Sequence, residues 1–190
     1  MDKTFNLIIN GVGGQGVITL LWLIDKAAFA QGYDVRSSEL HGLSQRGGSV
    51  EVHLRLGKKI NSPLITNGKA DLIISLEMME GLRSISKAGK QTKFLVNEYA
   101  LPFQGSLSLQ EIRAKLDSLG GRLRIVPASF VCKEKLQNEI VSTVYLLGYA
   151  VANNLIPIKK ESVLEVIKEM PEKYRDLNKN AFNLGFSNGK

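Results

Sequence analysis

A chain of 190 residues, 44% of them hydrophobic and 23% charged, has the make-up of one compact globular domain that buries a core without disulfide or metal staples. No stretch reaches the roughly 18 uninterrupted apolar residues of a membrane span. Asp2 and Lys3 lead straight into an apolar strand rather than a secretory signal, so no membrane partner and a cytoplasmic location are expected. The net charge of +7 is spread over dispersed lysines and arginines without a dense basic run or interleaved aromatics, so nucleic acid is not an expected partner, whereas an anionic small ligand or an acidic protein suits it.

Phe5 to Asn10 is a short, unalternating apolar run, as in a strand covered on both faces. It enters a glycine cluster, Gly11 to Gly16, and then a helical run from Val17 to Gln31. Val17, Leu20, Leu21, Ile24, Ala28 and Phe29 keep helical spacing there, and Gly32 is the stop. Tyr33 to Ser37 reads as a second strand, which gives the strand–glycine loop–helix–strand opening of a doubly wound sheet. Val50 to Leu56 alternates, with Glu51, His53 and Arg55 on the polar side, and predicts a half-exposed strand at a sheet edge or in an antiparallel pairing. Further strands are expected at Asp71–Ser75, Lys93–Asn97 and Leu123–Val126, with helices at Glu77–Lys87 and Leu109–Leu119. A long helix from Leu136 to Leu155 carries the stripe Ile140, Val144, Leu147, Val151 and Leu155, with Gly148 and Ala152 allowing a close neighbour. Pro157 breaks it, and Glu161–Met170 and Asp176–Phe186 close the chain as two helices. The alternation predicts an α/β, Rossmann-like three-layer fold with a mostly parallel sheet and C-terminal helices.

Gly11, Gly13 and Gly16 fit the G-x-G-x-x-G spacing, with Gly14 and Gln15 between them. Glycine permits positive φ and lets backbone N–H groups approach a phosphate at the positive end of the following helix. A dinucleotide site also needs an acid at the end of the second strand. Here Asp34 stands near its start and Glu39 beyond its end, while Arg36, Ser37 and Ser38 occupy the expected place. An NADP-like or coenzyme A phosphate suits Arg36 better than NAD does, and a tight turn with no ligand stays open. Gly16 is followed by Val17 and Ile18, which excludes a P-loop. The second polar loop, Gln45-Arg46-Gly47-Gly48-Ser49, sets a guanidinium beside backbone that a ligand can approach closely, or else is a solvated bend.

Gly11-Val12-Gly13-Gly14-Gln15-Gly16-Val17 and Glu39-Leu40-His41-Gly42-Leu43-Ser44-Gln45-Arg46-Gly47-Gly48-Ser49-Val50 together resemble the gamma-type domain of 2-oxoacid:ferredoxin oxidoreductases. Ser62-Pro63-Leu64-Ile65, Gly68-Lys69-Ala70-Asp71 and Glu77 through Arg83 extend the likeness. The run from His41 to Gly48 is similar to the indolepyruvate branch, although Leu43 stands where methionine is common. The resemblance implies one gamma-type domain over residues 1–190, with a helical extension from about 157. It implies an accessory subunit of a complex that turns aryl pyruvates and coenzyme A into aryl acetyl-CoA and CO2 and passes electrons to ferredoxin. Thiamine diphosphate and iron–sulfur clusters would sit on a large partner subunit. Coenzyme A would be bound or covered at the interface by Gly11, Gly13, Gly14, Gln15 and Gly16, with His41, Ser44, Gln45, Arg46, Gly47, Gly48 and Ser49 lining the ligand or facing the partner. The rivals are a stand-alone nicotinamide-dependent reductase and a purely structural subunit.

No catalytic or metal-binding residue is expected in this chain. Cys132 is the lone cysteine and reads as a semi-buried small hydrophobe; a four-thiolate cluster held by this chain alone is excluded. His41 and His53 are the only histidines and have no second ligand at metal spacing, and Ser44 and Ser49 have no matched base. Glu77 is read as a helix start rather than a crevice carboxylate. Trp22 belongs either to the core or to the contact with the large subunit.

Overall fold

The computed structural model describes residues 3–42, 47–101 and 107–190, with His41 known by its backbone only. Its strands are β1 (Phe5–Val12), β2 (Asp34–His41), β3 (Ser49–Gly57), β4 (Leu72–Ser75), β5 (Lys93–Asn97) and β6 (Leu123–Val126). Its helices are α1 (Val17–Ala30), α2 (Met78–Arg83), α3 (Leu109–Asp117), α4 (Ala128–Leu136), α5 (Ser142–Ala152), α6 (Lys160–Glu169) and α7 (Glu172–Asn188). The sheet order is β2-β3-β1-β4-β5-β6. β1, β4, β5 and β6 run parallel, β3 is antiparallel to both neighbours, and β2 therefore points the same way as the other four. The sheet is mostly parallel and is layered by helices on both faces.

Alternation along the strands divides the core in two. Leu7, Ile9, Val52, Leu54, Leu72, Ile74 and Leu95 face one layer, with α1, α4, α5, α6 and α7. Ile8, Ile73, Phe94 and Val96 face the other, with Met78 and the α3 residues Ile112 and Leu116. Strands covered on both faces read as continuous apolar runs, which is why the central strands β1, β4 and β5 are legible in the sequence.

Three expectations are corrected. The alternating strand does pair antiparallel, one of the two arrangements expected, but it is neither half-exposed nor at an edge: β3 lies between β1 and β2. Its polar side is covered by residues 60–65, where Arg55 donates to Ser62 O at 2.9 Å and to Asn6 Oδ1 at 2.9 Å. His53 is buried; its Nδ1 accepts the Ile65 N–H at 3.0 Å, so Nε2 carries the proton toward Glu51 Oε1 at 3.0 Å. Burial pushes the Glu51 carboxyl up, but the bonds from His53 and Lys87 outweigh it and leave it below the ordinary range. Second, β2 runs on through His41, so Glu39 stands inside the strand rather than past it. Third, the helix expected from Leu136 to Leu155 is the shorter α5, Ser142–Ala152, and α4 before it was not foreseen. α4 stops where Gln137 adopts φ 54°, and Asn138 restarts the chain by accepting the Ile140 N–H at 3.0 Å. Ile140, expected on the buried stripe, is 74% exposed, while Val144, Leu147 and Val151 are buried.

α1 ends in a Schellman motif: Gly32 at φ 79° donates to Phe29 O and Tyr33 to Ala28 O. α3 begins with a capping box between Ser108 and Glu111. α7 crosses α5 so closely that a Cβ at Gly148 would lie 2.1 Å from Phe182 O and one at Gly185 2.0 Å from Tyr145 O. Gly185→Ala is therefore expected to lower the unfolding free energy by about 3 kcal/mol through overpacking, read as a shift of the urea midpoint.

Asp25 on α1 is a carboxylate with a marked shift. Desolvation lifts it from 3.8 to about 6, against the Ser37 hydrogen bond and with help from Glu39. Its folded value lies above its unfolded one, so the ionised form is the costly one. The contribution to stability is intact below about pH 4 and is lost as pH rises through about 6. Asp25→Asn is expected to raise the melting temperature at pH 8 and to leave it unchanged at pH 4, by thermal scans at the two pH values.

Candidate functional site

The glycine turn leaves the carboxyl end of β1 and opens α1. Gln15 ties it shut: its side-chain Oε1 accepts the Val12 N–H at 2.8 Å, and its own N–H donates to Val12 O at 3.0 Å. Gln15 O in turn accepts the Thr143 hydroxyl of α5 at 2.8 Å. Gly14 has φ 101° and Gly16 φ 86°, conformations that other residues adopt only with strain. Gly11 is required by crowding instead, since a Cβ there would lie 2.9 Å from Gln15 Oε1 and 3.0 Å from Leu76 Cβ. Gly16 is the N-cap of α1 with no side-chain cap and no acid in the first turn. The N–H groups of Val17 to Thr19 have no carbonyl to reach inside the helix. They are the donors an anion would take, at the positive end of a 14-residue helix.

The second polar loop meets the first. Gly13 N–H donates to Gly48 O at 2.9 Å, and Val12 pairs with Ser49 where β1 and β3 end. Gly11 and His41 both register with Val50, from opposite sides, so the backbones of Gly11, Val50 and His41 form one row across the top of the sheet. Gly47 sits at φ 72°. Ser49 Oγ donates to Glu80 Oε2 at 2.6 Å, and Arg83 pairs with the same carboxylate. Gly11, Gly13, Gly14, Gln15, Gly16, Gly47, Gly48 and Ser49 are thus together, with the His41 backbone alongside. Ser44, Gln45 and Arg46 lie outside the described residues.

Two clefts flank the paired loops. One, of about 170 Å³, lies on the α5 side against Gly14, Gln15, Asn97, Ser129 and Ser142. The other lies on the α2 side against Gly47, Ser49, Glu77 and Glu80. Asn97 is fixed at the end of β5 by donating to Leu76 O and Ser129 Oγ and accepting from Ser129 N. Sequence reasoning missed Asn97, Ser129 and Thr143; the signal available was the polar residue closing the apolar run from Lys93. Glu77 is the N-cap of α2, accepting the Glu80 N–H at 2.8 Å, as expected of a helix start. Burial holds its carboxyl above the usual range.

Cys132 is fully buried and its thiol is pushed up to about 11 by desolvation, so it is no nucleophile. Among the described residues no group of three or more His, Cys, Asp or Glu could hold a metal. The dinucleotide alternative loses its geometry: β3 separates β2 from β1, so an acid on β2 stands two strand spacings, roughly 10 Å, from the strand that feeds the glycine turn. Gly16→Ala combines a left-handed φ with a Cβ 3.3 Å from Thr143 Oγ1. A loss of about 1–2 kcal/mol is expected from the strained φ, measured by chemical denaturation.

Residues 6–188 match the family described as Pyruvate ferredoxin/flavodoxin oxidoreductase. The chain is 38% identical to "Indolepyruvate oxidoreductase subunit IorB" of Pyrococcus horikoshii, over 99% of this chain and 97% of that one. It is 34% identical to the protein of the same name from Thermococcus kodakarensis, with the same coverage of 99% and 97%. Among solved structures, pyruvate oxidoreductase subunit PORC of Thermotoga maritima superposes with a TM-score of 0.73 at 19% identity, covering 98% of this chain and 97% of that one. 2-Oxoglutarate:ferredoxin oxidoreductase of Magnetococcus marinus, solved with 2-oxoglutarate, coenzyme A and succinyl-CoA, gives 0.77 at 18% identity over all of this chain and 31% of that one. At these identities the two structures establish the likeness of fold.

Proposed function

The chain belongs to the pyruvate ferredoxin/flavodoxin oxidoreductase family, and from that membership we propose that it is the small subunit of an indolepyruvate-type complex. In this reading the complex converts an aryl pyruvate and coenzyme A to the aryl acetyl-CoA and CO2, with the electrons passing to ferredoxin. The thiamine diphosphate and iron–sulfur clusters sit on the large subunit, and the whole assembly works in the cytoplasm. No described helix is long and apolar enough to cross a membrane, which agrees with that location.

The observation that carries the reading is the hydrogen bond from Gly13 N–H to Gly48 O, which joins the two loops that most resemble the family. The paired loops fit a phosphate-bearing ligand. The unpaired first-turn N–H groups of α1 offer donors, and Gly14, where a Cβ would meet nothing within 4 Å, leaves open space in front of them. Coenzyme A, when bound, supplies the thiol that accepts the acyl group. This chain's part is to hold its phosphates at Gly14 to Gly16 and to present Arg46 as a counter-charge beside the partner's active site. The 38% identity to a protein named for indolepyruvate oxidoreductase favours aryl pyruvates over pyruvate.

Tagged chain purified from its native cells is expected to bring down a large subunit carrying thiamine diphosphate and clusters. The pair should reduce a viologen dye only when aryl pyruvate and coenzyme A are both present. A lone chain that binds a nicotinamide cofactor would replace this reading with the reductase. An unchanged coenzyme A KM in a Gly14→Ala complex would favour a purely structural subunit. Arg46→Ala is expected to lower the coenzyme A-dependent rate of the complex about tenfold or more while leaving its melting temperature unchanged.

A further inference from the structure

A third cleft, of about 260 Å³, adjoins the start of α1, where the join of α6 and α7 comes up to the start of α5. Gly16 and Thr19 in the first turn of α1 form one end of it, and Ile140, Val144, Met170, Tyr174 and Leu177 give it apolar walls. Asn178 of α7 also lines it and is only 7% exposed. Its Nδ2 donates to Tyr174 O at 2.7 Å. A carbonyl partner fixes which end of the amide is which, so the atom left over is the oxygen. Among the described residues nothing donates to Asn178 Oδ1. An acceptor without a donor on a nearly buried side chain, set among apolar walls, marks a site that a ligand completes.

We propose that this cleft seats the adenine ring of coenzyme A, whose exocyclic amine donates to Asn178 Oδ1 while the diphosphate lies on the first-turn N–H groups of α1. The proposal rests on the reading of this chain as part of a coenzyme A-dependent complex. Size is the first argument. A cavity of about 150 Å³ takes one benzene ring, so this cleft takes a fused two-ring base and not the whole coenzyme. Polarity is the second. A base edge carrying a carbonyl would set oxygen against Asn178 Oδ1, whereas the adenine amine supplies the missing proton. Charge agrees with both. Glu139 lines the α5-side cleft and Glu77 and Glu80 line the α2-side cleft, but no carboxylate lines this one. Lys173 stands beside it, 4.7 Å from the centre of the Tyr174 ring and with no ion pair among the described residues, where it suits the phosphate on the coenzyme's ribose. The thiol has to reach the thiamine of the large subunit, so the end seated within this chain is the nucleotide end.

The test uses the complex of this chain with its large subunit and compares coenzyme A with 4′-phosphopantetheine, an acyl acceptor that lacks the adenosine nucleotide. Asn178→Leu and Tyr174→Ala should each raise the KM for coenzyme A about tenfold, the order of one stacked base, while the KM for 4′-phosphopantetheine moves less than about twofold. Adenosine 3′,5′-bisphosphate should displace coenzyme A from the wild-type complex in an equilibrium titration, and do so about tenfold less well in Tyr174→Ala. Tyr174 is 47% exposed, so that variant keeps its fold even if Asn178→Leu does not. An unchanged KM for coenzyme A in folded Tyr174→Ala overturns the proposal. An equal rise for the two acceptors overturns it too, since the effect would then lie away from the base, as does failure of the bisphosphate to compete. A wild-type complex that turns over aryl pyruvate with no need of coenzyme A overturns the functional reading itself, and this inference with it.

Discussion

β3 enters the sheet between β1 and β2, antiparallel to both, and most of what is distinctive about this protein follows from that insertion. An antiparallel strand starts at the end from which β1 leaves, so the loop before β3 is delivered to the glycine turn after β1. The Gly13–Gly48 hydrogen bond and the row formed by Gly11, Val50 and His41 are products of this register. The same insertion pushes β2 outward by one strand to the end of the sheet, which breaks dinucleotide geometry beside the glycine turn. One topological choice thus assembles a candidate anion site and removes the place of a ribose-binding acid.

The turn is held by its neighbours. Gln15 closes it with its own side chain, and Thr143 braces it from α5, 128 residues further along the chain. Backbone N–H groups fixed in this way are pre-aimed at an anion and need no rearrangement to receive one. The polar clusters nearby are already consumed by structure: Glu80 by Ser49 and Arg83, Glu77 by the cap of α2, and His53 by Ile65 and Glu51. What is left over is recognition.

Much of this was readable from residues alone, and the exceptions have physical causes. β1, β4 and β5 and the helices α1 and α6 follow from apolar periodicity and end signals, because burial on two faces, or on one helical stripe, writes itself into the sequence. The strand from Ser49 to Gly57 was found but misplaced, because Glu51, His53 and Arg55 look solvated in sequence while being covered by residues 60–65. Alternation reports polarity, not exposure, and a long-range tether cannot be read from a window. The late start of α5, after Gln137 and Asn138, was hidden for a related reason: Ile140 continues the stripe in spacing, and the capping role of Asn138 decides the matter locally. The meeting of the two glycine loops was invisible for want of a strand order, although each loop stood out by itself.

The contact between α5 and α7 bears on how the molecule comes into being. Gly148 and Gly185 let two backbones touch, and Phe182 and Ala181 fill the core from the far end of the sequence. The layer holding α1 and α5 consequently lacks one wall while α7 is still inside the ribosome. During synthesis the first two-thirds of the chain can pair its strands, but it emerges with an apolar side uncovered, which makes that interval the time when a chaperone has most to bind.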